Sequence, residues 1–262
     1  MTLKGLLIDL DGVIYIGKKP VPGAKEAIAF LDELGYPYHF VSNTTRKSRK
    51  SIVKHVQQLG FDISEDLVFT PPRAAVQFIK NAGKSRISLL TTGDVDLDFR
   101  KEGFYVTNES PDFVVIGDAG DNFSYKSLNN AFRMILGGAT IIALEKDRYW
   151  MSDDGLLLSA GPFVAALEYA TGKAAEIMGK PSPNFFRLAL ESMNVSPDEA
   201  AMIGDDVVTD VGGAISAGLS GVLVRTGKYR DDALAAAKVS PDLVIDSIAD
   251  IERIIQDLGR RD

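Results

Sequence analysis

The chain has 262 residues, enough for one large core or two smaller ones, and its 45% hydrophobic and 25% charged residues are the balance of a folded globular protein. A formal net charge of −7 excludes a broad grip on a nucleic-acid backbone but leaves room for small anionic substrates held at a local basic patch. The absence of cysteine excludes disulfides, thiolate nucleophiles and cysteine metal sites and suits a cytoplasmic enzyme, and no stretch approaches the length of a membrane span.

At the N-terminus, Met1-Thr2-Leu3-Lys4-Gly5 runs into Leu6-Leu7-Ile8 with acidic residues too soon for the apolar core of a signal peptide. The run 5–8 stops at Asp9-Leu10-Asp11-Gly12, the pattern of a buried parallel strand that delivers acids at its C-terminal edge, where open α/β sheets bind ligands. Pro22-Gly23 opens a helix in which Ala27, Ile28, Leu31 and Leu34 keep helical spacing, with Gly35 as its C-terminal cap. Residues 38–41 read as the next strand, ending in Ser42-Asn43-Thr44-Thr45, small polar residues suited to start the helix that carries Ile52, Val53, Val56 and Leu59.

The middle of the chain has its own signals: strands at 87–90, 113–116 and 141–144, and a helix at 124–136. Alternation then resumes with a helix at 185–193, a strand at 201–203 ending in Gly204-Asp205-Asp206, a helix at 211–217, strands at 221–224 and 243–245, and a closing helix at 248–258. This order predicts an α/β fold: a doubly wound parallel-sheet (Rossmann-like) core of residues 1–72 and 179–262, with an α/β cap domain of residues 73–178 inserted. Pro71-Pro72 and Gly179-Lys180-Pro181 are the expected hinges.

Asp9 and Asp11 stand two apart at a strand end, where their carboxylates can converge once the backbone turns at Gly12. Buried together they repel each other. A divalent cation relieves that repulsion, and hard oxygen ligands suit Mg²⁺ rather than zinc; the alternative is that the acids cap the following helix. Asp205, at a second strand end, would complete the metal site, while Asp206 and Asp210 read equally as caps or hydrogen-bonding groups behind it or as further ligands. Ser42 and Asn43 offer neutral donors, and Lys180 offers a positive charge for phosphoryl oxygens. His39 and His55 read as packed or solvated, Phe132, Met134, Phe185 and Phe186 as core, and Lys47, Arg49, Lys50 and Lys54 as the wet face of their helix.

Together, Asp9-Leu10-Asp11-Gly12-Val13, Ser42-Asn43, Lys180 and Gly204-Asp205-Asp206 to Asp210 resemble the four motifs of the haloacid dehalogenase superfamily of phosphatases. The insertion between the second and third motifs is similar to that of the subclass containing the nitrophenylphosphatases and phosphoglycolate phosphatases. The resemblance implies Asp9 as nucleophile, Asp11 as general acid/base, Mg²⁺ on Asp9, Asp205 and the backbone carbonyl of Asp11, and Ser42, Asn43, Thr44 and Lys180 around the phosphate. It implies hydrolysis of a small phosphorylated substrate through an aspartyl-phosphate intermediate, and a homodimer joined through the caps. The same residues would serve a phosphotransferase or mutase, or a phospho-accepting regulatory module with negligible turnover. Asp11 argues against the last, because a passive acceptor needs neither an acid for a leaving group nor a base for water.

The cap segment 145–150 departs from the asparagine, proline and aspartate that many members of the subclass carry, and Glu145 stands where nearer members are expected to have histidine. Within it, Arg148 and Tyr149 are the expected recognition residues for the leaving group, since arginine pairs bidentately with anions and tyrosine can pack or donate a hydrogen bond.

Overall fold

The computed structural model describes residues 3–152 and 155–259, so Met1 and Thr2 of the N-terminal reading and the last three residues lie outside the described residues. The fold is α/β and comprises two compact units, the first formed by Met1–Ser42, Val53–Phe69 and Lys180–Asp262 and the second by Asn43–Ile52 and Thr70–Gly179.

The first unit is built on a six-stranded parallel sheet. Its order is Leu243–Ile245, Ser220–Val224, Ala200–Gly204, Gly5–Asp9, Tyr38–Val41 and Val68–Phe69. Strand Gly5–Asp9 is central and buried along its whole length, which explains why its sequence is a continuous apolar run rather than an alternating one. Ile8 pairs with Ile203 on one side and Asp9 with Val41 on the other, so three strands end side by side. The chain winds outward in both directions from this strand, which makes its C-terminal end the switch point of a Rossmann-like sheet. Under the sheet, Phe185 meets Phe69 and Phe186 edge to face at 5.4 and 5.7 Å, and His39 stacks on Phe69 while bonding Ser192 Oγ at 2.9 Å through Nε2. His39 is thus a packed residue.

The second unit has a five-stranded parallel sheet in the order Glu176–Ile177, Thr140–Ala143, Phe113–Ile116, Arg86–Leu90 and Tyr105–Val106. A separate antiparallel pair joins Tyr149–Ser152 to Gly155–Leu158. Helices Tyr125–Leu136 and Gly161–Thr171 pack on the sheet through Ala131, Ile135, Val164 and Leu167, with Phe132 and Met134 partly buried against the same cluster. Ser124 caps the first of these helices, its Oγ accepting from Ser127 N at 3.2 Å.

Several elements differ from the sequence reading. Pro71 and Pro72 form the first turn of helix Pro71–Asn81, capped by Thr70, because that turn needs no intrahelical donor from its first residues. Residues 43–48 do not start the next helix, which begins at Arg49. The 43–52 segment groups with the second unit because its polar atoms bond there: Asp118 N donates to Thr45 Oγ1 at 3.1 Å, and Ser48 N and Oγ both donate to Asp94 at 2.8 Å. Arg49 corrects the wet-face reading. It is buried, with Asp98 at 3.6 Å and Glu102 at 3.7 Å, while Lys47, Lys50 and Lys54 are exposed. The expected helix at 211–217 is a π-helical turn, Val207–Gly212, followed by the short α-helix Gly213–Ser216.

Candidate active site

The first unit collects its acidic residues at the ends of Gly5–Asp9 and Ala200–Gly204. Ligand atoms of Asp9, Asp205 and Asp210, all buried, lie within 4.8 Å of one another. Lys180 Nζ stands between two of these carboxylates, 2.8 Å from Asp9 Oδ1 and 2.7 Å from Asp210 Oδ1, and is itself only 4% exposed. Asp210 thus stands beside Asp9 and Asp205 and shares Lys180 with Asp9. The π-helical turn delivers it there: Val211 N reaches back to Asp206 O at 3.2 Å, widening the turn, and Asp206 N donates to Asp210 Oδ2 at 3.2 Å. Asp206 is the cap, its Oδ1 accepting from Val208 N at 2.9 Å and Thr209 N at 3.0 Å.

Three carboxylates gather around the Lys180 ammonium, and the exposed Lys228 is a second cation acting on them. Burial pushes Asp9 up to about 7; Lys180 pulls the other way but is outweighed, because Asp210 adds repulsion and shares the same lysine. Asp205 is pushed up to about 6, again first by burial. Burial pulls Lys180 down, yet the combined attraction of Asp210 and Asp9 holds it above the ordinary lysine value. Asp205 Oδ2 accepts from Lys228 N at 2.7 Å, whereas its Oδ1 is buried without a hydrogen-bond partner. An orphaned carboxylate oxygen beside two further acids is the donor set a hard divalent cation satisfies, so the residues fit Mg²⁺.

Two glycines make room for Asp205. A Cβ on Gly12 (φ +91°) would fall 1.9 Å from Asp205 Oδ2, and one on Gly227 (φ +60°) 2.0 Å from the same oxygen. Thr226 Oγ1 ties the two turns together by donating to Gly12 O. Gly227, Thr226 and the Lys228 amide were not among the site residues expected from sequence, although their position just after strand Ser220–Val224 is the available signal. The Asp11 side chain is exposed and stands outside the buried cluster, and Tyr15 packs nearby, its hydroxyl raised by burial and then by Asp11 and Asp9. Ser42, half-buried, follows the neighbouring strand and donates its amide to Phe69 O at 3.2 Å.

Asn43 and Thr44 belong to the second unit, where they line a cavity of about 260 Å³ with Thr45, Arg46, Asp118, Glu145, Asp147, Trp150 and Ser159. Arg46, not singled out from sequence, bonds Asp118 Oδ1 at 2.9 Å and lays its guanidinium 5.2 Å from the Trp150 ring centroid. Arg148 and Tyr149 are exposed, at the start of the antiparallel pair.

Comparison with known proteins gives the family. A family model described as haloacid dehalogenase-like hydrolase matches residues 6–105, and a second, HAD-hydrolase-like, matches residues 177–251. The chain is 44% identical over 229 residues to haloacid dehalogenase-like hydrolase domain-containing protein 2 of Bos taurus, covering 87% of this chain and 86% of the relative. It is 41% identical over 254 residues to the phospholysine phosphohistidine inorganic pyrophosphate phosphatase of Homo sapiens, covering 95% and 92%. Among solved structures, the p-nitrophenyl phosphatase from Archaeoglobus fulgidus matches with a TM-score of 0.88 at 28% identity over 97% of this chain and 100% of that one. The chain belongs to the haloacid dehalogenase-like hydrolase family and is an enzyme of its phosphatase class.

Proposed function

We propose that the enzyme is a Mg²⁺-dependent phosphatase that hydrolyses small phosphorylated metabolites through an aspartyl-phosphate (acyl phosphate) intermediate on Asp9. The observation that carries this reading is the buried trio of Asp9, Asp205 and Asp210 around Lys180, with one oxygen of Asp205 left unpartnered. Asp9, Asp205 and the backbone carbonyl of Asp11 would hold the ion, with Asp210 beside them. When bound, Mg²⁺ supplies the positive charge that lets an anionic nucleophile and an anionic phosphoryl group share one site.

In the first step an Asp9 carboxylate oxygen bonds to phosphorus and the bond from phosphorus to the leaving oxygen breaks, while Asp11 gives that oxygen a proton. In the second step the deprotonated Asp11 takes a proton from water, which attacks phosphorus and frees Asp9 as inorganic phosphate departs. Lys180 offsets charge on the phosphoryl oxygens, and Ser42, Asn43 and Thr44 donate to them. Arg148 and Tyr149 recognise the leaving group. Phosphomonoesters fit this scheme, and pyrophosphate or a phosphoramidate would follow the same steps with a different leaving atom, in keeping with the human relative's name.

The enzyme acts in the cytoplasm, a reading supported by its lack of cysteine; no helix among the described residues is long and apolar enough to cross a membrane. It assembles as a homodimer through the second unit. The strand register supports this: Tyr149 pairs with Leu158 and Met151 with Leu156, so the four share one face, and each is more than half exposed.

The test is a panel of phosphorylated metabolites assayed with Mg²⁺, counting phosphate released per substrate consumed. Stoichiometric release at steady state is expected. Substrate loss without free phosphate would instead identify a phosphotransferase, and a single phosphorylation event without turnover a regulatory acceptor.

A further inference from the structure

Glu145 is a buried carboxylate that the proposed reaction does not use. Strand Thr140–Ala143 leads to it, and its two oxygens take three neutral donors. Oε1 accepts from Ser159 Oγ at 2.6 Å and from Ala160 N at 2.9 Å, and Oε2 accepts from Asp147 N. Burial raises its carboxyl above the ordinary glutamate range, against the pull of those donors. An apolar residue would occupy this position at lower desolvation cost, so the carboxylate's contribution lies in what its bonds join. They join the start of the 145–150 segment to the strand that returns from it and to the beginning of helix Gly161–Thr171.

Neighbouring contacts reinforce the same junction. Gly161 N donates to Asp147 O at 3.0 Å, and Ser159 N to Arg148 O at 3.3 Å. A Cβ on Gly161 would fall 2.4 Å from Asp147 O, so the two backbones meet as closely as only glycine permits. Lys146 Nζ pairs with Glu168 Oε2 at 2.6 Å, and Glu168 Oε1 accepts from Ala175 N at 2.9 Å. The backbone of 146–148 is held at both of its Asp147 polar groups. Arg148, Tyr149 and Trp150, whose side chains are exposed, follow that fixed point; Trp150 faces Arg46 and the cavity, and Tyr149, next to it in the strand, stands on the opposite face of the antiparallel pair.

We propose that Glu145 is a positioning residue for leaving-group recognition: it clamps the Lys146 to Arg148 backbone so that Arg148 and Tyr149, with the cavity wall formed by Asp147 and Trp150, are set before substrate arrives. The inference rests on the phosphatase reading above and deepens it. Its chemistry is specific to a carboxylate. Glutamine carries one acceptor oxygen, so Glu145→Gln can serve either the Ser159 and Ala160 pair or Asp147 N, and turns an N–H toward the other donor.

The experiment compares wild type, Glu145→Gln and Ser159→Ala with an Arg148→Ala, Tyr149→Ala double variant, using amide hydrogen exchange and kcat/KM. The substrates are 4-nitrophenyl phosphate and whichever panel compound the wild type most prefers. In Glu145→Gln, amide exchange at Asp147 or at Ala160 should accelerate about tenfold or more, since a hydrogen bond to a charged acceptor is lost. Its kcat/KM for the preferred compound should fall about tenfold, toward the double variant, with 4-nitrophenyl phosphate changing by less than about twofold. Ser159→Ala should shift both readouts the same way by a smaller factor and decides the matter if Glu145→Gln does not fold. Unchanged exchange, an unchanged substrate ranking, or an equal loss on both substrates would each overturn the proposal. A wild type that releases no phosphate from any compound would overturn the phosphatase reading and the recognition role with it. That failure is distinguishable because exchange reports the clamp without turnover.

Discussion

Lys180 is shared between Asp9 and Asp210, and the sharing explains why its charge is secure while that of Asp9 is not. Two carboxylates share that ammonium, and Asp205, which Lys228 also attracts, is a third anion within reach. Asp9→Asn should lower phosphate release by about three orders of magnitude or more, because an amide does not replace the nucleophile. The same variant should melt no lower than the wild type in chelator, since it removes a buried charge that lacks a full counter-charge. Retained turnover in the folded variant would reject Asp9 as the nucleophile.

The sign of the pH dependence follows from the same residues. Asp9 and Asp205 are pushed up to about 7 and about 6 in the folded protein, above the ordinary aspartate range. Groups raised on folding contribute stability that is complete when both states are protonated and is lost as pH rises through the folded-state values. Metal-free protein should therefore show a falling Tm between about pH 4 and about pH 7, and Mg²⁺ should restore it at the upper end. A Tm that rises over that window in chelator would contradict the assignment.

Among the elements, helix Arg49–Gln58 shows how a start can be set by a residue far away in sequence. Asp94 accepts from Ser48 N and Ser48 Oγ at 2.8 Å and from Ser51 Oγ at 2.5 Å. These bonds hold its carboxyl below the ordinary aspartate value even though burial acts in the opposite direction. Asp94→Ala should destabilise the protein by about 1–3 kcal/mol, measured by urea unfolding, because a charged acceptor for the helix start is lost. No change would mean that water replaces the carboxylate fully. The π-helical turn Val207–Gly212 is the corresponding case in the other unit, where one extra residue in the turn turns Asp210 toward Lys180.

For the whole molecule, the exposed face of Tyr149, Met151, Leu156 and Leu158 carries a prediction about assembly. If that face joins two copies, Met151→Glu with Leu156→Glu should yield monomers by analytical ultracentrifugation while the wild type sediments as a dimer, because like charges would be buried opposite each other. A wild type that stays monomeric at about 50 µM, below which specific interfaces of ordinary size remain associated, would reject the dimer.

Several strands of the parallel sheets were already legible in local pattern. The runs at 5–8, 38–41 and 113–116 are short, apolar and bounded by turn residues, and local spacing suffices to identify a buried strand. Asp9, Asp11 and Asp205 were legible as candidates because strand ends in such sheets converge on one edge, and Lys180 because it stands between Gly179 and Pro181 at the expected hinge. Asp210 was legible as one of the same acids, but whether it capped a helix or turned toward Lys180 was not, since that depends on a widened turn that no local period encodes. Nor was the burial of Arg49, because the carboxylates that pair with it, Asp98 and Glu102, lie about fifty residues further along the chain. Glu145 belongs to the same class: Ser159 and Ala160 come to it only after a hairpin closes, and long-range closure is a property of the folded chain rather than of any window of its sequence.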